Sequence, residues 1–138
     1  MQIELKRTNA PFHFEARGPS RLPVQIDAAT HIGGNEQGLR PMELIAMGLA
    51  GCAAIDFVHI LNKQRQPLRG ISVSVNAERK DGKIPSPFES VNLHFILEGD
   101  LDERKVEKAL SLSIEKYCSA AEMIKSTAHI SYSFAIKL

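Results

Sequence analysis

A chain of 138 residues with 43% hydrophobic content has the size of one globular domain and can build a core without disulfide staples. Its 17 lysines and arginines against 16 acidic residues leave a formal charge of +1. No long run of either sign occurs, which argues against a nucleic-acid groove or a polybasic membrane patch. The opening residues, MQIELKRTNA, alternate apolar and polar character and are charged within six positions, unlike the apolar stretch of a signal peptide. The expectation is one domain over residues 1–138, cytoplasmic, with no nucleic-acid or membrane partner.

In chain order, Gln2 to Lys6 alternates as a half-buried strand does, with Ile3 and Leu5 set against Glu4 and Lys6. A turn at Asn9-Ala10-Pro11 leads to a second strand at Phe12–Ala16. Gly18-Pro19-Ser20 turns again, and Val24–Asp27 makes a third, the three forming an antiparallel meander. From Asp27 to Gly38 no period holds and glycines accumulate, so this is a loop, without the glycine spacing of a nucleotide-binding turn.

Pro41 then opens a helix that runs to Lys63, proline being suited to the first helical position. Leu44, Ile45, Met47, Leu49, Ile55, Phe57, Val58, Ile60 and Leu61 surround nearly its whole circumference, the pattern of a buried helix. Glu43, Asp56 and His59 interrupt it, and the many Gly and Ala residues mark a core helix rather than a membrane span. After a stop at Gln66–Gly70, Ile71–Glu78 alternates strictly, and Val91–Leu97 returns as its partner, with His94 on the face opposite Leu93 and Phe95.

Asp102 is placed to cap a second helix whose inward positions are Val106, Ala109, Leu110, Ser113, Ile114 and Tyr117. Ser119 and Glu122 then stand in the relation of a capping box, which implies a break at Cys118 and a short helix from Ala120 to about Ile124. On that reading Cys118 lies near a positive helix end, where a thiolate is favoured. His129–Leu138 closes the chain as an alternating strand. This order fits an α+β domain in which antiparallel sheet wraps helices. About six strands cannot hide every side of so apolar a helix, and pairing of two copies across a two-fold axis is the natural solution.

Three kinds of chemistry are open to the two cysteines, Cys52 in the apolar helix and Cys118. They can serve as small hydrophobes. They can act as a redox pair, one sulfur attacking a peroxide and the other resolving the sulfenic acid, provided a cation lowers the attacking thiol from about 8.5. They can ligate a metal, since Cys52, Asp56 and His59 fall at i, i+4 and i+7 of one helix, with Cys118 as a further ligand.

The combination Pro41-Met42-Glu43-Leu44, Gly51-Cys52-Ala53-Ala54-Ile55-Asp56, the paired strands Ile71–Ala77 and Val91–Leu97, and Lys116-Tyr117-Cys118-Ser119 resembles the OsmC/Ohr family, the osmotically inducible and organic hydroperoxide resistance proteins, in its OsmC-like subgroup. The resemblance implies an OsmC-like α+β fold, with antiparallel sheets wrapped around a long buried helix in an intertwined homodimer. It implies thiol-dependent reduction of organic hydroperoxides, with Cys52 peroxidatic and Cys118 resolving. No bound cofactor or metal is expected, recycling falling to an external dithiol such as a lipoyl group. An arginine held by a glutamate activates the sulfur in that family. Glu43 stands nine residues before Cys52, on the opposite helix face and roughly 13 Å along the axis. The arginine must then come from elsewhere, Arg7 being the first candidate and Arg40 the second. The alternative is a non-catalytic dimer of the same fold that binds an apolar small molecule at its interface.

Overall fold

A computed structural model describes residues 1–138. The chain divides into two compact units, Met1–Met47 and Gly48–Leu138, and the long helix begins in the first and ends in the second.

In the first unit β1 (Glu4–Asn9), β2 (His13–Arg17) and β3 (Val24–Ile26) form the expected antiparallel meander, with Lys6 opposite Glu15 and Phe14 opposite Ile26. The alternation at the start of the chain suggested a half-buried strand, yet β1 is exposed along its whole length, Ile3 and Leu5 included. It is an edge strand, and no layer of this chain covers either of its faces. The loop after β3 contains a 3₁₀ turn at Thr30–Ile32 and is tied back by an exchange in which Leu39 N donates to the Gln25 carbonyl (2.8 Å) and Asp27 N to that of Leu39 (3.1 Å). Gly38 passes so close to the Gln25–Ile26 backbone that a Cβ there would sit about 2.5 Å from it, so only glycine fits.

Asp27 organises this loop. It is 2% exposed, and one carboxylate oxygen accepts from Ala28 N (2.7 Å) while the other accepts from Asn35 N (3.0 Å) and Gln37 N (3.1 Å). Burial opposes its ionisation, but the three backbone donors outweigh that, and the carboxyl lies below its ordinary 3.8.

α1 spans Pro41–Lys63 without a break. By length and apolar composition it could cross a membrane, with a mean hydropathy of 2.0 over its best 18-residue window, of which 22% is buried in the chain. The expected all-round burial is not met within one chain. Leu49, Ala53, Phe57 and Leu61, spaced at four-residue steps, form a single buried stripe, while Ile45, Met47 and Ile55 are exposed, Ile55 at 72%. One chain supplies a core on only one side of the helix.

In the second unit β4 (Gly70–Arg79) and β5 (Phe88–Glu98) pair antiparallel, with Val73 opposite Phe95. β6 (His129–Lys137) pairs with β5 in parallel, Phe95 opposite Phe134. The expected all-antiparallel arrangement is therefore corrected to two three-stranded sheets, the second of them mixed. The cause is the connection. Between β5 and β6 run α2 (Glu103–Leu112), a π-helical turn (Ser113–Tyr117) and α3 (Ser119–Ile124), a crossover that brings the chain back to enter the sheet in the same direction. β5 carries Val91, Leu93, Phe95 and Leu97 into the core, where Phe95 meets Phe57 of α1 with ring centroids 5.4 Å apart at 59°. Val106, Ala109 and Leu110 of α2 are fully buried as well.

Candidate functional site

The site is assembled from α1 and the break between α2 and α3. Asp102 caps α2 as expected, its carboxylate accepting from Arg104 N (2.9 Å) and Lys105 N (3.3 Å). At Ser113 the α-helical repeat gives way to the π turn, closed by Cys118 N donating to the Ser113 carbonyl at 2.7 Å. Ser113 is fully buried and its hydroxyl donates to the Ala53 carbonyl of α1 at 2.7 Å, which pins the turn against the residue after Cys52. The π turn adds a residue to the repeat, so the inward stripe slips, and Tyr117, expected to face in, is 53% exposed.

Cys118 itself, rather than Ser119, is the N-cap of α3. Its Sγ accepts from Ala121 N at 3.3 Å, and its carbonyl accepts from Glu122 N at 3.1 Å. The expected capping box between Ser119 and Glu122 therefore does not form, and Glu122 pairs with Lys125 instead. Cys118 is 3% exposed. Burial pushes its thiol up, the Ala121 N–H pulls it down, and the neighbouring Cys52 sulfur raises it again, for a net value of about 11. The expected thiolate at a helix end is therefore corrected: Cys118 is held as the neutral thiol, because desolvation exceeds what one short helix contributes.

Cys52 is half-buried on the flank of the α1 stripe, and both cysteines are free thiols. The two Sγ atoms and a carboxylate oxygen of Asp56 all lie within 4.8 Å of one another. Cys52 and Asp56 share a helix face through their i, i+4 spacing. His59 follows on nearly the same bearing but about 10 Å from Cys52 along the axis, is exposed, and does not join the cluster.

Glu43 is exposed in the first turn of α1, and Arg40 precedes the helix. Arg7 is exposed on β1, its guanidinium donating to the Pro11 carbonyl at 3.5 Å. The ion pairs of the chain, Arg17 with Glu15 and Lys125 with Glu122, include none of Arg7, Arg40, Glu43 or Asp56. A cleft of about 540 Å³ lies nearby in the second unit, walled by Ile114, Ala121, Lys125, His129 and Tyr132, and neither cysteine lines it. The chemistry is thus located by the convergence of side chains rather than by a cavity. Sequence reasoning missed the pinning role of Ser113, while the i, i+4 relation of Asp56 to Cys52 did point to its place beside the sulfurs, and of that candidate ligand set only His59 stays outside the cluster.

Known proteins resemble this arrangement in sequence and in fold. Protein YhfA of Escherichia coli K12 is 42% identical over 97 residues, covering 70% of this chain and 72% of that protein. A hypothetical protein of Aquifex aeolicus has a crystal structure that superposes with a TM-score of 0.82 at 27% identity, covering 99% of this chain and 97% of its own. The fold is also that of a Legionella pneumophila protein described as an organic hydroperoxide resistance protein OsmC, with a TM-score of 0.75 at 18% identity over 98% and 97% of the two chains. The profile described as OsmC-like protein matches residues 33–133, which take in α1, β4, β5, the first part of β6 and both cysteines, and the chain belongs to that family.

Proposed function

We propose that this protein is a thiol-dependent peroxidase that reduces organic hydroperoxides. The observation that carries the reading is the approach of the Cys52 and Cys118 sulfurs to within 4.8 Å, on elements fixed by the Ser113 to Ala53 hydrogen bond. The sulfurs must close from that separation to about 2.05 Å to form a disulfide. Membership of a family with organic hydroperoxide resistance proteins among its structural neighbours supports it.

In this mechanism the Cys52 thiolate attacks the peroxide, the S–O bond forms as the O–O bond breaks, and the departing alkoxide takes a proton to leave as the alcohol. The resulting sulfenic acid is attacked by Cys118. The S–S bond forms, the Cys118 proton is released, and the hydroxyl leaves as water. A dithiol such as a lipoyl group then reopens the disulfide and is itself oxidised. The half-buried sulfur is suited to the attacking role and the buried, protonated one to the resolving role. Activation of Cys52 is assigned to an arginine of the N-terminal third, Arg7 before Arg40, held by Glu43. The exposed apolar side of α1, with Ile45, Met47 and Ile55, is assigned to the two-fold contact of an intertwined homodimer.

The test is a challenge of the reduced protein with cumene hydroperoxide, read by mass spectrometry. A Cys52–Cys118 disulfide is the expected product, and Cys118→Ser should trap the sulfenic acid on Cys52. Two free thiols after the challenge, or a Cys52→Ser variant as active as the wild type, would sink the mechanism. Free thiols with no peroxide consumed favour the second reading, a non-catalytic dimer binding an apolar small molecule, which the exposed Ile45, Met47 and Ile55 of α1 support.

A further inference from the structure

The same three side chains carry a second chemistry that needs no peroxide. Two sulfurs and one carboxylate oxygen converge within 4.8 Å of one another, from one face of α1 and from the cap of α3. In a tetrahedral zinc site with ligands at 2.0–2.3 Å, neighbouring donor atoms are separated by roughly 3.5–3.8 Å. The existing separations, at most 4.8 Å, therefore exceed that by no more than about 1.3 Å. The backbones behind the donors are already held. Cys52 and Asp56 sit one turn apart on a continuous helix. Cys118 is fixed by hydrogen bonds from its own N–H to Ser113 and to its carbonyl from Glu122, and Ser113 is bound to Ala53.

We propose that Cys52, Cys118 and Asp56 bind a divalent cation of the zinc class, with a fourth position left to water. Two soft sulfur donors select such an ion over magnesium or calcium, and a set of three protein ligands is that of an open rather than a purely structural zinc site. Charge points the same way. Asp56 takes part in no ion pair, and its carboxylate faces two sulfurs, so a cation between them supplies the counter-charge that the chain does not. Each thiol gives up its proton on coordination, two protons being released for each ion bound. His59, the other helical candidate, lies a full turn beyond Asp56 and takes no part. Occupancy would withhold both sulfurs from oxidation, so the metal-bound form is redox-silent.

Cobalt titration of the reduced, metal-free full chain tests this directly. The expected result is a thiolate-to-cobalt charge-transfer band that saturates at one ion per chain and is displaced by zinc, with two protons released per ion. Cys52→Ser and Cys118→Ser should each abolish the band, and His59→Ala should leave it unchanged. Asp56→Asn should weaken binding at least about tenfold, the lower bound for losing even an indirect partner of a metal site. Circular dichroism of each variant separates a lost ligand from a lost fold. No band from a chain whose thiols titrate as free, saturation at one ion for two chains, or an Asp56→Asn variant that binds as tightly as the wild type would overturn the proposal. Since peroxide is absent throughout, its failure leaves the peroxidase test standing, and the converse holds.

Discussion

Asp27 in the first unit and Asp56 in the second are both carboxylates at least partly withdrawn from solvent, and the chain treats them in opposite ways. Both oxygens of Asp27 are engaged by three backbone N–H groups of its own loop, and the residue is almost wholly shielded from solvent. Asp56 is half-buried, outside every ion pair, and set against two thiols. A carboxylate whose lone pairs are consumed by backbone donors serves the architecture. One that keeps its lone pairs beside nucleophilic or metal-ligating atoms is available for chemistry. The contrast separates a structural acid from a functional one within a single chain.

The sharpest way to break that contrast is to remove each carboxylate in turn. Asp27→Ala leaves three N–H groups without their acceptor in a shielded loop, and each loss forfeits a hydrogen bond to a charged group. The urea midpoint should fall, and amide exchange at Ala28, Asn35 and Gln37 should accelerate by about tenfold or more. Asp56→Asn should stay within roughly 0.5 kcal/mol of wild type, as substitutions away from packed or bonded groups do, while altering the chemistry of the sulfurs. Equal destabilisation by the two variants would show that Asp56 is structural after all.

This contrast also marks what was legible in the sequence. The bounds of α1 were, because Pro41 at the start and the stop after Lys63 are local signals, and so was the Asp102 cap. The break at Cys118 was readable from the Ser119 and Glu122 pattern, although the capping atom proved to be the Cys118 sulfur. What escaped depends on contacts between distant residues. Alternation in His129–Lys137 reports a strand but is blind to its direction, so the parallel pairing with β5 could not be read. Ser113 looked like one more inward position of a helix, and its bond to Ala53, 60 residues away, emerges only when α1 and the π turn meet. Asp27 was assigned to the end of a strand. An acid entering a glycine-rich loop is a known turn signal, yet donors eight and ten residues onward are not implied by it.

Titration sharpens the comparison from a different side, since the two units hold groups shifted in opposite directions. The Asp27 carboxyl lies below its ordinary 3.8 in the folded chain, so the unfolded state binds more protons in acid. Its contribution to stability is complete above that value and is lost as the pH falls through the folded one. The Cys118 thiol is raised from 9.0 to about 11, so the folded state holds its proton longer. Its contribution is complete below about 9 and is lost between about 9 and 11. Denaturation midpoints measured against pH should therefore soften their acid limb in Asp27→Asn and their alkaline limb in Cys118→Ser. An alkaline limb unchanged in Cys118→Ser would mean that the thiol is not desolvated in solution.

The smallest effect concerns the hydrogen bond that joins the two halves of the sulfur cluster. Ser113→Ala removes a buried hydroxyl but leaves the Ala53 carbonyl its ordinary helical partner, so the cost should be about 1 kcal/mol. Its consequence for the site should exceed its consequence for stability. Without that bond the π turn is free to shift against α1, and the Cys118 sulfur loses its fixed distance from Cys52. The rate at which an added oxidant closes the Cys52–Cys118 disulfide should fall more steeply than the modest stability loss implies. If the disulfide closes at the wild-type rate while stability drops by the expected amount, packing of Ile114 and Ala121 alone positions Cys118, and Ser113 belongs with Asp27 among the purely structural polar groups.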